Sequence, residues 1–254
     1  MSAARPAGRS GRLLVATVMT AAGMAVLVGL GLWQLDRKTW KEGLIAALTE
    51  RLAARPGNLP ARETWPQLVQ KEAEFRRVAF PAEFLHDREA LVYTAGSALR
   101  PDVSGPGYWV FTPARLTGGS LVMVNRGFVP EASKDAGARA QGQVAGVVDI
   151  VGVLRWPEDR GAFTPADSPE RNLWFLRDHA AIAAAKGLGP VAPFYIDQEA
   201  PIPPGGLPRA GPLNVNLRNN HLQYSLTWFG LALALAAVFL IWAFHRPGRS
   251  GSGV

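Results

Sequence analysis

Two stretches of the chain carry no charge, Leu13–Leu35 and Leu222–Phe244, each 23 residues long. At ~1.5 Å per residue a helix of that length reaches roughly 35 Å, enough for the roughly 30 Å hydrocarbon core of a bilayer. A helix buried in a soluble core ordinarily keeps a polar stripe, and runs this long without a charge argue against one. Both stretches are predicted transmembrane helices. The first outruns the ~7–15-residue apolar core of a cleaved signal peptide, so it is read as an uncleaved anchor. Small residues recur in both: Ala21, Ala22, Gly23, Ala25, Gly29 and Gly31 in the first, and Gly230, Ala234 and Ala237 on one face of the second. Small faces let helices approach closely in lipid, so the two spans are expected to pack together.

Beyond the first span, Trp33 and Trp40 stand at the level of an interfacial aromatic belt, with Arg37, Lys38 and Lys41 beside them. Leu44, Ile45, Leu48 and Leu52 then recur at helical spacing, which predicts a helix leaving the membrane and ending near Arg55, before Pro56-Gly57. The pattern changes after that. Phe75–Phe84, Ala90–Ala95, Tyr108–Leu116, Ser120–Phe128, Val144–Trp156 and Phe194–Ile196 are β-branched or aromatic segments that read as strands. Thr117-Gly118-Gly119 makes a hairpin turn. Residues 130–143 and 157–172 read as loops, and Asp178 caps a short helix running to Lys186 and closed by Gly187.

These elements predict an α+β membrane protein: a two-helix transmembrane hairpin with a β-rich, barrel- or sandwich-like extracytoplasmic domain carrying one or two short helices. The expected organisation is an N-terminal arm (1–12), a first span (13–35), the β-rich domain (36–221), a second span (222–244) and a tail (245–254). Charge sets the orientation. Arg5, Arg9 and Arg12 precede the first span and Arg246 and Arg249 follow the second, with no acid in either segment. The excess of cations on the cytoplasmic side places both ends there and the main domain outside.

The same five arginines account for most of the net +7. Residues 36–220 hold 22 Lys and Arg against 20 Asp and Glu, so the basic balance reflects topology and implies no nucleic-acid partner. There is no cysteine, which excludes disulfides, thiolate metal sites and redox dithiols. Of four methionines, three fall within the first 24 residues, which excludes a methionine-rich copper site. No Walker A loop, H-E-x-x-H or G-x-S-x-G motif occurs, and the chain is not expected to be an enzyme.

Four histidines remain. His86 reads as a solvated turn residue, His179 as a surface residue starting the short helix, and His245 as interfacial. His221 differs, because it stands where the outer domain enters the second span, in Arg218-Asn219-Asn220-His221-Leu222-Gln223-Tyr224-Ser225. On a helix His221, Tyr224, Ser225 and Trp228 share a face. Polar groups at membrane depth are costly and tend to be functional or paired. A neutral imidazole is a standard axial ligand of haem iron, with Tyr and Trp suited to line the ring. The other reading is a histidine hydrogen-bonded to an asparagine or a backbone carbonyl.

Five blocks together resemble the Surfeit locus protein family. They are Gly31-Leu32-Trp33-Gln34 with Arg37 and Trp40-Lys41; Pro106-Gly107-Tyr108; Val124-Asn125-Arg126-Gly127-Phe128-Val129-Pro130; Asn172-Leu173-Trp174-Phe175 with Asp178; and Asn219-Asn220-His221-Leu222-Gln223-Tyr224 with Thr227-Trp228. The resemblance runs from about Gly29 to Trp242, in the family's order. It implies an assembly factor for haem-copper cytochrome c oxidase, in a bacterial inner membrane, with both termini cytoplasmic and the main domain periplasmic. It implies haem a as cargo, with His221 at the position of the family's proposed iron ligand. In a haem-binding chaperone Tyr224 and Trp228 would flank the ring, and Arg37 or Arg218 near the outer interface would pair with the propionates. The partners it implies are the lipid bilayer, cytochrome c oxidase subunit I, other oxidase assembly factors and haem A synthase. The alternative is a scaffold that holds an oxidase assembly intermediate without a cofactor.

Overall fold

The structure, a computed structural model, describes residues 9–214 and 219–244. The chain divides into two compact units, one holding the described residues up to Ile45 together with those from Asn219 onward, the other starting at Ala46 and running through the middle of the chain.

The first unit pairs two helices, α1 (Arg9–Ala53, of which the part up to Ile45 belongs here) and α4 (His221–Phe244). Both are long and apolar enough to cross a membrane. α1 continues well past the apolar run, because Leu44, Leu48 and Leu52 keep helical spacing as far as the Pro56-Gly57 break. The two helices lie antiparallel. Ser225 Oγ donates to the Gly31 carbonyl at 3.0 Å, the Phe229 ring lies where a Gly31 side chain would start, and Leu235 fills the space beside Gly23. Of the small residues of α1, Gly23 and Gly31 are used as expected, whereas Ala21, Ala22, Ala25 and Gly29 are exposed. Those of α4 are not used: Gly230, Ala234 and Ala237 are exposed, and the contact runs through Ser225, Phe229 and Ala232.

The second unit is a β-barrel with an extension. Its elements are β1 (Gly57–Asn58), α2 (Gln70–Ala73), β2 (Arg77–Phe84), β3 (Ala90–Gly96), β4 (Ser104–Leu116), β5 (Leu121–Pro130), β6 (Val147–Arg155), β7 (Leu173–Trp174), α3 (His179–Ala185) and β8 (Val191–Ala200). Strands β2, β6, β8, β5 and β4 are neighbours in that order, and β4 returns to β2 through Ala82–Leu116, Glu83–Arg115 and Phe84–Ala114. This closes a five-stranded ring, antiparallel except for the parallel β5–β8 pair. The long β4 has a second role: its first half pairs with β3, and β3 carries β7. Between-sheet alternation is clean on β2, where Val78, Phe80, Ala82 and Phe84 point inward. They meet Ile150, Leu154, Phe194 and Ile196 inside the ring, with Trp65 from a short helical turn covering one end. A second core lies outside the ring, where Trp109, Phe111, Met123 and Tyr195 pack against Trp174 and Ile182. Asp178 caps α3 by accepting from the Ala181 N–H at 3.0 Å.

Asn125-Arg126-Gly127 explains why β5 is not a plain strand. Trp109 faces Phe128 and Phe111 faces Asn125, so Val110 opposes two residues, Arg126 and Gly127, in a bulge. Gly127 supplies the required φ of +124°. Its N–H donates to Asn125 Oδ1, and the next residue, Phe128, exchanges both backbone hydrogen bonds with Arg209. The bulge turns Arg126 inward, 1% exposed, where it stacks over Phe84 and donates to the Gly142 carbonyl and to His86 Nδ1. Beside it, the buried Arg139 pairs with Glu89. Asn125 Nδ2 donates to Asp197 Oδ1 at 2.7 Å, and Arg155 Nη1 donates to Asp197 Oδ2 at 3.1 Å, joining β5, β8 and β6 by a buried polar link.

Two histidines expected at the surface are structural. His179 is 2% exposed, and its Nε2 donates to the Ala192 carbonyl at 2.9 Å. His86 is half-buried, with Nε2 donating to the Val144 carbonyl and Nδ1 accepting from Arg126. Burial lowers both imidazoles below their ordinary value, against the pull of the carbonyl partners, and Arg126 lowers His86 further. A lowered folded-state value favours the neutral ring in the folded protein. The stabilisation is complete above the unfolded value of about 6.5 and is lost as pH falls below it. Thermal melts of the detergent-solubilised chain are expected to be level from pH 8 to about 7 and to fall below about pH 6.5. A His86→Gln, His179→Gln double variant should show a shallower fall. An unchanged slope would assign the acid sensitivity elsewhere.

Candidate functional site

His221 is the first residue of α4, and the site is built around it within the helix pair. α1 and α4 run antiparallel, so the C-terminal end of the first apolar run, at Trp33-Gln34, comes level with the start of the second. His221 Nδ1 lies 2.7 Å from Gln34 Oε1. An amide oxygen only accepts, so Nδ1 carries the proton and donates. That fixes the tautomer and leaves the Nε2 lone pair without a hydrogen-bond partner among the described residues. A carbonyl-type acceptor on one ring nitrogen is the arrangement that orients a metal-binding imidazole. Asn219, two residues earlier, donates to the Lys38 carbonyl at 3.5 Å, and Ser225, one turn on, to that of Gly31. Three polar side chains at the head of α4 are thus tied to α1.

The other residues expected at the site are distributed around this point. Ser225 is buried against α1, whereas Tyr224 is 56% exposed and Trp228 half-buried. The single face expected from spacing is therefore divided between the helix contact and its border. Arg37 lies over the Trp40 ring, 4.8 Å from its centroid, a cation–π contact on the exposed side of α1. Arg218 and His245 lie outside the described residues. Gln34 belongs to the first of the blocks that carry the family resemblance, and the resemblance implies no role for it. A polar residue near the end of an apolar run was the available signal, since such groups seek a partner in lipid.

No group of three or more His, Cys, Asp or Glu stands together among the described residues. A bare transition-metal ion ordinarily needs about three protein donors. A porphyrin iron brings four nitrogens of its own and asks the protein for one or two axial ligands, and a single oriented imidazole fits that demand.

Two apolar helices that flank a closed five-stranded barrel in the sequence, with a clasped histidine at the head of the second helix, define a class of membrane-associated protein. The chain belongs to the SURF1 family, whose model matches residues 21–233. It is 39% identical over 240 residues to a SURF1-like protein of Monosiga brevicollis, covering 90% of this chain and 87% of that one. It is similarly related to Surfeit locus protein 1 of Rattus norvegicus, 38% identical over 91% of this chain and 75% of the relative. The human Surfeit locus protein 1 is 37% identical over 89% of this chain and 75% of its own length.

Proposed function

We propose that this chain is a non-catalytic assembly factor for haem-copper cytochrome c oxidase that holds haem a at His221 and hands it to subunit I. The observation that carries the reading is the His221–Gln34 hydrogen bond, which leaves Nε2 available on an imidazole already oriented by its neighbour. The membership of the SURF1 family and the two apolar helices support a role in oxidase assembly at a membrane. In this reading α1 and α4 cross the inner membrane, both termini are cytoplasmic, and residues 36–221 face the periplasm. Haem a is cargo, Tyr224 and Trp228 border the ring, and Arg37 with Arg218 serves the propionates. Other oxidase assembly factors and haem A synthase are the neighbouring partners.

A second reading rests on the same bond. The His221–Gln34 pair, with Ser225–Gly31 below it, also serves as a clasp between helices, and the chain would then be a scaffold for an oxidase intermediate. Haem content separates the two. The protein is purified in detergent from cells that make haem A, and bound haem is measured by absorption. His221→Ala is expected to abolish bound haem, and Gln34→Leu to reduce it by about 10–100-fold through loss of the orienting acceptor. Equal haem in His221→Ala and wild type, or a colourless wild type that still copurifies with subunit I, would establish the scaffold.

A further inference from the structure

The segment between β6 and β7 carries one ring almost wholly in solvent: Phe163 is 98% exposed. The chain around it holds it there. Thr164 N–H donates to the Gly161 carbonyl at 3.1 Å, which closes a turn with Ala162 and Phe163 at its middle positions. Gly161 N–H donates to Thr164 Oγ1 at 3.1 Å. Arg160 donates to the Pro165 carbonyl at 2.7 Å and pairs with Asp167. The other oxygen of Asp167 accepts from the Phe175 N–H at 2.7 Å. The loop is thus stapled at its base, and its ring touches almost nothing of its own chain.

Beside the turn lies a groove of about 580 Å³ between this loop and α3. Its walls include Ala166, Pro169 and Trp174, and on α3 Ala181 with Ala185 one turn on. The alanine pair leaves room for a ring that longer side chains would take up. Projection and groove are made by one stretch of chain, because residues 160–169 carry the first and line the second.

Three kinds of occupant differ in what they require. A loop that enters an anionic bilayer brings an excess of Lys and Arg. Here Glu158 and Asp167 are paired with Arg177 and Arg160, and the exposed charges left are Asp159, Glu170 and Arg171. That set holds both signs and no excess of cations. An unrelated protein would need a cavity for Phe163 and a separate projection for the groove. A second copy has both already. Across a twofold axis each Phe163 enters the groove of the other copy, and each Arg171 can meet an acid of the other loop. A phenyl ring buries about 150–250 Å², so two rings in two grooves give a contact on the order of 800 Å² in total, the size of a weak interface. Copies confined to one bilayer by α1 and α4, as proposed above, meet at a raised effective concentration, which a weak contact can use. We propose that this chain forms a weak twofold dimer through its second unit, with Phe163 of each copy seated between the 160–169 loop and α3 of the other. The contact rests on the membrane placement but not on haem.

Photocrosslinking of the full-length chain in lipid vesicles tests this, with Phe163 replaced by p-benzoylphenylalanine, which keeps an aromatic group at the position. Isotopically light and heavy chains are reconstituted together. Crosslinks should join light chains to heavy ones and map to residues 164–185 of the second chain. Ala185→Glu puts a charge into the groove at an exposed position, and it should lower the yield at least about tenfold with an unchanged melting temperature. Sedimentation equilibrium in density-matched detergent compares chains without the probe. The association constant should fall at least about tenfold in Phe163→Ser, which removes a ring that the fold does not use. Crosslinks confined to one chain or to lipid, none to a second copy at the highest protein-to-lipid ratio, or equal association in wild type and Phe163→Ser would overturn the proposal. Links to a second copy that map outside the groove would overturn it too. Recovery of the chain in the vesicle fraction reports membrane placement separately, and haem content of Phe163→Ser should match wild type.

Discussion

Asp197→Leu is expected to destabilise the barrel by about 3–5 kcal/mol, the usual cost of removing one partner from a buried ion pair. Asp197 is 5% exposed and Arg155 6% exposed, and the carboxylate serves both Arg155 and Asn125. Its loss leaves a buried guanidinium and a buried amide each short of an acceptor. The only other acid bonded to Arg155 among the described residues is Glu74, at 3.3 Å and partly exposed. At roughly 2–4 °C per kcal/mol for a unit of this size, the melting temperature should fall by roughly 6–20 °C. Asp197→Leu combined with Arg155→Met should recover much of the loss, because two apolar groups leave no charge stranded. A fall of under about 2 °C, or a double variant no better than the single one, would show that the link contributes little.

Gly127→Ala should cost at least about 3 kcal/mol, at the upper end for a residue forced into a sparsely populated conformation. Two penalties coincide. The φ of +124° strains any residue with a Cβ, and the added carbon would lie inside the van der Waals surface of the Arg209 carbonyl. The strand cannot withdraw, because Phe128 and Arg209 are bonded in both directions at 3.2 and 2.8 Å. Relief requires releasing that bridge and with it the bulge that aims Arg126. Burial already pulls the Arg126 guanidinium down to about 10, so it is poorly placed to lose its Gly142 and His86 partners. Near-ultraviolet dichroism of the variant in detergent should lose signal and the melt should move down by roughly 6 °C or more. A wild-type melt and spectrum would rule out this account of the bulge.

Much of this architecture was readable from residue patterns, and the exceptions have physical reasons. The apolar runs and the six β-rich segments were legible because each carries its own periodicity, and the Asp178 cap and Gly187 stop mark α3 at both ends. β1 and β7 are two residues each, too short to leave a pattern. Whether the strands form a sandwich or a ring depends on three residue pairs between β2 and β4, which no local signal announces. His179 looked like a surface residue because it opens a short helix, but its face is turned onto β8. At the candidate site His221 stood out as a polar residue at the head of an apolar run. Its partner Gln34 is 187 positions away, and only antiparallel pairing of α1 and α4 joins them.

The order in which strands are made sets a condition on the ring. β8 sits between β6 and β5, yet it is the last strand of the barrel to leave the ribosome. Until residue 200 is available, β5 and β6 each present an open edge, and Asn125 and Arg155 wait for the acid that β8 carries. Open edges on an incomplete barrel invite pairing with other chains. A nascent chain whose first helix has already engaged a bilayer would spend that interval tethered, with its unfinished sheet kept apart from others in solution. A first helix held in a bilayer would thus serve the folding of the domain that follows it.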